Sequence, residues 1–392
     1  MTFALIHHEI PSNVLSRLLR AAMRVAQTIF ALSLLVTISA CASQAAGTNS
    51  RSARQQDQQI VNGDAVSALD NCIFVIYQAK DGTYWFGSDK QGVYHYDGKS
   101  FVHFTTQHGL RGNSIRSIQE DRWGNIFVGS NGGVSRFDGK TFRALDAADG
   151  GQWRLAADDL WFAGSQDEGI VYRYDGKTLF RLAFPKTKAG EEFIAKYPRA
   201  QFPNMTYNPY DVYVIFKDDQ KNIWFGTGNL GACRYDGKTF AWAKTEINIG
   251  ENDSFGLRSI AQDKSGKFWF TTTLNRFDIH PSTSNIPIGQ QTGSLSFEKE
   301  PGIRYSTAGE KNQVVVFMSA VNDKNGDTWM ATLYGGVWRF DGSTLTHYPV
   351  KDGDADVSLY SIYKDRQDVL WLGTHEHGTF KFNGTKFERF GN

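Results

Sequence analysis

Residues 222–240 read N-I-W-F-G-T-G-N-L-G-A-C-R-Y-D-G-K-T-F. An alternating apolar run carries a Trp into a glycine-bracketed turn, a second run follows, and an Asp-Gly pair opens a hairpin into a third. Variants of this stretch recur along nearly all of the chain beyond residue 72. Aligned on the aromatic of the W-F-G-T element, the copies stand at Trp85, Phe127, Trp161, Trp224, Trp269, Trp329 and Trp371. A strand-rich unit repeating every forty or so residues, roughly, is the mark of a propeller blade, and the longer intervals before Trp224 and Trp329 read as blades with insertions. The repeat therefore predicts an all-β fold over residues 59–392, a seven-bladed β-propeller of four-stranded antiparallel blades.

Each copy parses into four strands. The innermost ends in an acidic turn, as in S-I-Q-E-D at 117–121, I-A-Q-D at 260–263 and S-I-Y-K-D at 361–365. The second carries the aromatic anchor, and the third is of the G-V-Y-R-Y type. Pairs at Asp97-Gly98, Asp138-Gly139, Asp175-Gly176, Asp236-Gly237, Asp341-Gly342 and Asn383-Gly384 are expected as two-residue turns with positive φ. The fourth strand is short and aromatic, for example at 101–104 and 387–390. Large aromatics fill a wedge that widens away from the axis, so the Trp residues in the anchor register are assigned to the core between blades. Trp153 and Trp242 fall outside that register.

Two blades deviate. Blade three has a short first strand around 153–157 and then an insertion over 179–210 containing Pro185, Pro198, Pro203 and Pro209. Blade five replaces its hairpin with a Ser, Pro and Gln rich excursion over 278–293. Closure of the ring rests on blade seven meeting blade one, with 59–62 as a candidate edge strand.

The start of the chain has the character of an export signal. Arg17, Arg20 and Arg24 form a positive n-region, residues 25–39 an apolar h-region, and Ile38-Ser39-Ala40-Cys41 resembles a lipobox. Residues 1–41 are read as a signal peptide with Cys41 as the lipidation site, and Met23 is an alternative start; ordinary cleavage near Ala46 without a lipid is the other reading. Residues 42–58 form a Ser, Ala, Gln and Gly rich tether. The expected location is periplasmic or at the cell surface of a bacterium, lipid-anchored. Net charge is +1, from 42 Lys and Arg against 41 Asp and Glu, so no basic field marks a nucleic-acid partner. Cys72 and Cys233 occupy non-equivalent positions in different repeats and are expected as separate thiols.

The unit D-x-x-G-x-h-W-h-G-T-x-x-G-h-x-R-Y-D-G-K-x-F resembles the two-component regulator propeller repeat, and the resemblance covers about residues 72–392. It implies the extracytoplasmic sensing part of a membrane histidine kinase or related regulator, with a ligand that is often a carbohydrate. The chain departs from that pattern in showing no transmembrane segment after the leader, no kinase or cyclase domain and no immunoglobulin-like module. Only the binding half of the family's function is carried over.

Positions identical in every repeat hold the fold, whereas positions that differ between blades are free for recognition. Two residues before each first-strand Ile or its equivalent stand Phe74, Arg116, Gly150, Tyr213, Arg258, Met318 and Tyr360. Two Arg and two Tyr near the axis suit a carboxylate, sulfate or sugar acid; the alternative is that each Arg pairs with an acid of a neighbouring blade. Loops joining second to third strands share that end and add Asp89, Lys90, Asn131, Asp167, Glu168, Asn229, Tyr334, His375, Glu376 and His377. His375 and His377, two apart in a strand, would point the same way and could ligate a metal or supply a base; exposed loop histidines are the plainer reading. No G-x-S-x-G, H-E-x-x-H, C-x-x-C or phosphate-binding glycine loop occurs. The expectation is a non-catalytic, cofactor-free sensor or interaction module binding a glycan or small-molecule ligand, with a membrane sensor kinase or envelope protein as partner. A lyase similar to the streptogramin lyases and a structural envelope scaffold are the alternatives.

Overall fold

The computed structural model describes residues 63–391 apart from 165–168, 199, 202–207, 244–255, 274, 281–291 and 303–315, so the leader, Cys41 and the 42–58 tether lie outside the described residues. Within the unit Gln59–Asn392, seven blade sheets follow one another in chain order and form a seven-bladed β-propeller. In six blades the first strand is innermost: Ile73–Gln78, Ile115–Glu120, Val212–Lys217, Ile260–Gln262, Phe317–Asn322 and Leu359–Lys364. Each then steps outward through antiparallel second, third and fourth strands, as a meander with short turns requires.

The acidic residue closing the first strand is what secures each step outward. In blade four, Asp218 accepts Asn222 N–H with one oxygen and the Trp224 indole N–H with the other, both at 2.8 Å. Asp263, Asp323 and Asp365 repeat the tie with Trp269, Trp329 and Trp371 at 3.0, 2.9 and 2.9 Å. Each also takes two turn N–H groups, from Ser265 and Lys267, Asn325 and Asp327, or Gln367 and Val369. Buried donors are thereby satisfied and the Trp ring is fixed between blades. Asp121 of blade two holds the Trp123 and Asn125 N–H groups in the same way, although its anchor is Phe127 and has no indole.

The glycine of W-F-G-T is dictated by the next blade. A Cβ on Gly226 would lie 2.5 Å from Leu257 and Val214 side chains, and one on Gly373 would lie 2.4 Å from the Ile73 carbonyl. That second contact spans the ring closure. Blade seven meets blade one through Tyr84 Oη donating to Asp365 at 2.8 Å, Gln78 N–H donating to Tyr363 at 3.0 Å, and Trp371 packed on Tyr84 and Phe390. Among the described residues no strand is exchanged between the two blades. Residues 59–62 lie outside the described set, and the neighbouring strand Asp64–Val66 pairs with the outermost strand of blade one, Phe101–Phe104, not with blade seven.

Three expectations need correcting. The Asp-Gly hairpins are four-residue loops: in blade one the strands end at Tyr96 and resume at Phe101, and only the glycine has positive φ, +97° at Gly98. The Asp instead folds its carboxylate over the Lys99 and Ser100 N–H groups, both at 2.8 Å. Blade three has no inner strand at 153–157; its sheet begins at Leu160–Ala163. The preceding chain runs along the outer side, with Ala147–Ala148 parallel to Leu179–Ala183 and Trp153 Nε1 donating to the Ala183 carbonyl at 3.2 Å. Trp153 is half-buried and packs against the core at Trp161, Phe184 and Phe240. Leu179–Ala183 is then the regular fourth strand, so the insertion starts after it and carries a helix, Lys188–Lys196, capped by Thr187. In blade five the third and fourth strands, Asn275–His280 and Ser296–Pro301, pair over six residues, and Thr292–Ser294 joins the edge of blade four. Cys72 and Cys233 are free thiols.

Two outcomes follow from these contacts. Gly226→Ala is expected to cost about 1–3 kcal/mol in denaturant unfolding, as overpacking does, whereas Ala331, already at the equivalent place in blade six, shows that a looser neighbour admits a methyl. Asp97, Asp138 and Asp341 are held below the usual carboxylate range chiefly by hydrogen bonds from Ser100, Thr141 and Thr344. A depressed native pKa stabilises the fold above the unfolded value, and the contribution is lost as pH falls through the native one. Asn383 caps the equivalent turn of blade seven without titrating. The triple variant Asp97→Asn, Asp138→Asn, Asp341→Asn should therefore fold and show a shallower decline of Tm between about pH 5 and pH 2; an unchanged slope would exclude these caps as acid-sensitive elements.

Candidate functional site

Five inner strands begin with a β-bulge. Register slips between Ile73 and Val75, Ile115 and Ser117, Val212 and Val214, Phe317 and Ser319, and Leu359 and Ser361. The residue left over is Phe74, Arg116, Tyr213, Met318 or Tyr360. A bulge takes one residue out of the ladder and re-aims its side chain, and all five line one axial cavity of about 820 Å³. Arg258, just before the inner strand of blade five, joins them. Six of the seven predicted ring residues thus come together. Gly150 does not, because blade three supplies no inner strand, and the gap extends the cavity sideways to Asp159, Trp161 and Lys217.

The polar heart of the channel is a pair of guanidinium groups on an aromatic wall. Arg258 lies 3.7 Å over the Tyr213 ring, and Arg116 lies 5.2 Å over Phe74. Phe74 meets Tyr360 edge to face at 4.2 Å, and Tyr360 in turn meets His375 at 5.3 Å. Arg116 also pairs with Asp89 of blade one at 3.1 Å, so for this Arg the neighbouring-acid reading is realised. Asp89 accepts the Ser114 hydroxyl as well, at 3.0 Å. Burial pulls the Arg258 pKa below the ordinary arginine value; nearby Tyr213 and Tyr360 oppose the shift and the Arg116 charge adds to it. Burial likewise pushes the Tyr360 phenol up, with Cys72 and Asp89 contributing. An anion entering here would relieve repulsion between two cations in a partly desolvated space.

The loop residues divide. Asp89 and Asn131 sit at the channel, the latter in its lining and tied by its N–H to the Ser114 carbonyl. Lys90 donates its backbone N–H to the Ser88 hydroxyl within its own turn, and Asn229 donates its N–H to the Pro209 carbonyl. Tyr334 is 75% exposed in blade six. Asp167 and Glu168 lie outside the described residues. His375, Glu376 and His377 lie in a turn after the strand Leu370–Thr374, so the argument that alternate strand residues share a face does not apply. His375 Nδ1 is 3.3 Å from Glu376, and His377 N–H donates to Thr374 at 2.9 Å. Among the described residues no group of three His, Cys, Asp or Glu side chains could hold a metal ion.

Comparison with known proteins places this architecture. Residues 109–132, 206–229 and 353–376 match the two component regulator propeller family, which bears out the resemblance carried by the repeat. Those segments include the bulge residues Arg116, Tyr213 and Tyr360. Histidine kinase P4 of Formosa agariphila is 24% identical over 334 residues, 82% of this chain, and the chain spans only 20% of that protein's length. An extracellular domain assigned to a one component system from B. thetaiotaomicron superposes with a TM-score of 0.51 at 20% identity, covering 81% of this chain and 39% of that one. Virginiamycin B lyase from Staphylococcus aureus superposes with a TM-score of 0.54 at 11% identity, covering 81% and 97%. At such identities the structural likeness shows the shared propeller and no more. No helix among the described residues is long and apolar enough to cross a membrane.

Proposed function

We propose that this chain is an extracytoplasmic sensor propeller of two-component-type signalling, held at a membrane by lipid on Cys41, with the axial channel as its ligand site. The observation carrying the reading is the convergence of Arg116, Arg258, Tyr213, Phe74 and Tyr360, from five different blades, on one cavity. Similarity to a histidine kinase and to the extracellular domain of a signalling protein supports the sensing role. The ligand is a carbohydrate or other small molecule bearing a carboxylate or sulfate. Its anionic group lies between the two guanidiniums, and its flatter, less polar part lies against Phe74 and Tyr360. Output passes to a membrane sensor kinase as a separate partner. Binding, with no chemistry on the ligand, accounts for the site.

The test is a thermal-shift screen of neutral sugars, sugar acids, sulfated sugars and small organic acids, followed by calorimetry on the hits. Anionic compounds should bind, and Arg258→Gln should weaken binding by about ten- to a hundredfold, the loss of a hydrogen bond to a charged group. Binding confined to neutral compounds, or unaffected by Arg258→Gln, would refute the channel assignment. Cys41→Ser should abolish incorporation of labelled fatty acid and release the protein from the membrane fraction; retention of the label would refute the tether.

A further inference from the structure

Blade one departs from the rule that blades four to seven keep. Where blades four to seven place Asp218, Asp263, Asp323 and Asp365, six residues before the anchor Trp, blade one has Ala79 six residues before Trp85. The Trp85 indole nitrogen is buried and has no hydrogen-bond partner among the described residues, although the ring is only 2% exposed. The facing position on the third strand has changed as well. Arg276, Arg339 and Lys381 lie over Trp269, Trp329 and Trp371, whereas His95 lies over Trp85, with ring centres 4.4 Å apart. Blade one therefore lacks both the acid and the permanent cation that attend the anchors of blades five, six and seven.

Ala79, Trp85 and His95 all line a second cavity, a cleft of about 860 Å³ between blades one and two. It is built from the turns at the end of the propeller opposite the bulges and shares no lining residue with the axial channel. The carboxylates around it are committed: Asp81 accepts Thr83, Glu120 accepts Tyr77 and Lys80, and Asp138 accepts Lys140 and Thr141. An indole N–H donates only, so the occupant must present an acceptor. What acceptor suits this position is displayed four times in the same molecule: a carboxylate oxygen 2.8 to 3.0 Å from Nε1.

We propose that the cleft between blades one and two binds a small carboxylate, one oxygen of which takes the Trp85 indole N–H in place of the missing aspartate. The ligand's remaining atoms lie in the cleft toward Trp123, whose exposed ring already carries the Arg122 guanidinium at 4.1 Å. The proposal is independent of the axial ligand.

Acetate and formate are the probes, added to the purified chain at constant ionic strength with chloride as the control salt. The readout is the Trp85 indole resonance in a ¹H–¹⁵N spectrum, assigned with Trp85→Phe. Saturable movement of that resonance with a dissociation constant in the millimolar range, of the same size in Arg258→Gln, is the expected result. In Ala79→Asp the resonance should already be displaced without acetate and should no longer respond to it. A Trp85 resonance that ignores both acids, moves equally with chloride, or loses its response in Arg258→Gln would overturn the proposal, whether or not Ala79→Asp folds.

Discussion

The structure depends on a carboxylate that ends the innermost strand and reaches an indole on the next. In four blades a single Asp accepts the turn's N–H groups and the anchor Trp Nε1. One side chain thereby closes the turn, satisfies a donor that would otherwise be buried alone, and sets the ring that the neighbouring blade packs against. Each blade is so held internally, and the contact between blades can be left to aromatic packing and to the close approach permitted by the W-F-G-T glycine. Among the described residues the ring closes with no exchanged strand, blade seven meeting blade one through Tyr84, Tyr363, Trp371 and Phe390.

Much of this was legible because it is periodic. The anchors Trp85 to Trp371, the Asp-Gly turns and the acidic strand ends repeat with a regularity that a propeller explains and a single active site does not. The ring of Phe74, Arg116, Tyr213, Arg258, Met318 and Tyr360 was also legible, by counting from the repeat, and the reason is physical: in five cases the counted position is the bulge that turns a side chain toward the axis. The bulge itself leaves no compositional mark, so sequence could place these residues without saying why they face inward.

The failures lie in blade three, where the repeat is weakest, and in the geometry of the Asp-Gly turns. Blade three was read with an inner strand over 153–157, yet Gly150-Gly151 precedes Trp153 and the following R-L-A-A has no strand alternation. Trp153 instead packs on the outer side, half-buried against Trp161 and Phe240. The Asp-Gly pairs suggest the shortest hairpin, whereas the carboxylate of Asp97 takes the N–H groups two and three residues on, Lys99 and Ser100, and so goes with a longer loop. His375 and His377 lie in a turn after Thr374, in keeping with the plainer reading of loop histidines, and a turn does not keep the strand periodicity that would align them.

The two departures from the Asp–Trp tie among the Trp-anchored blades share one structural consequence. Blade one carries Ala79 and blade three carries Leu155 where the acid would stand, and Trp85 and Trp161 both have buried indole nitrogens without a partner among the described residues. Trp85 borders the cleft between blades one and two, and Trp161 borders the sideways extension of the axial channel. Where the tie is intact, the turn is pinned against its own Trp. Where the tie is lost, the indole N–H is buried without an acceptor among the described residues, and its Trp borders a cavity. A repeat of this kind can acquire a binding pocket by omitting one carboxylate, because the aromatic framework around the omission is held by six other blades.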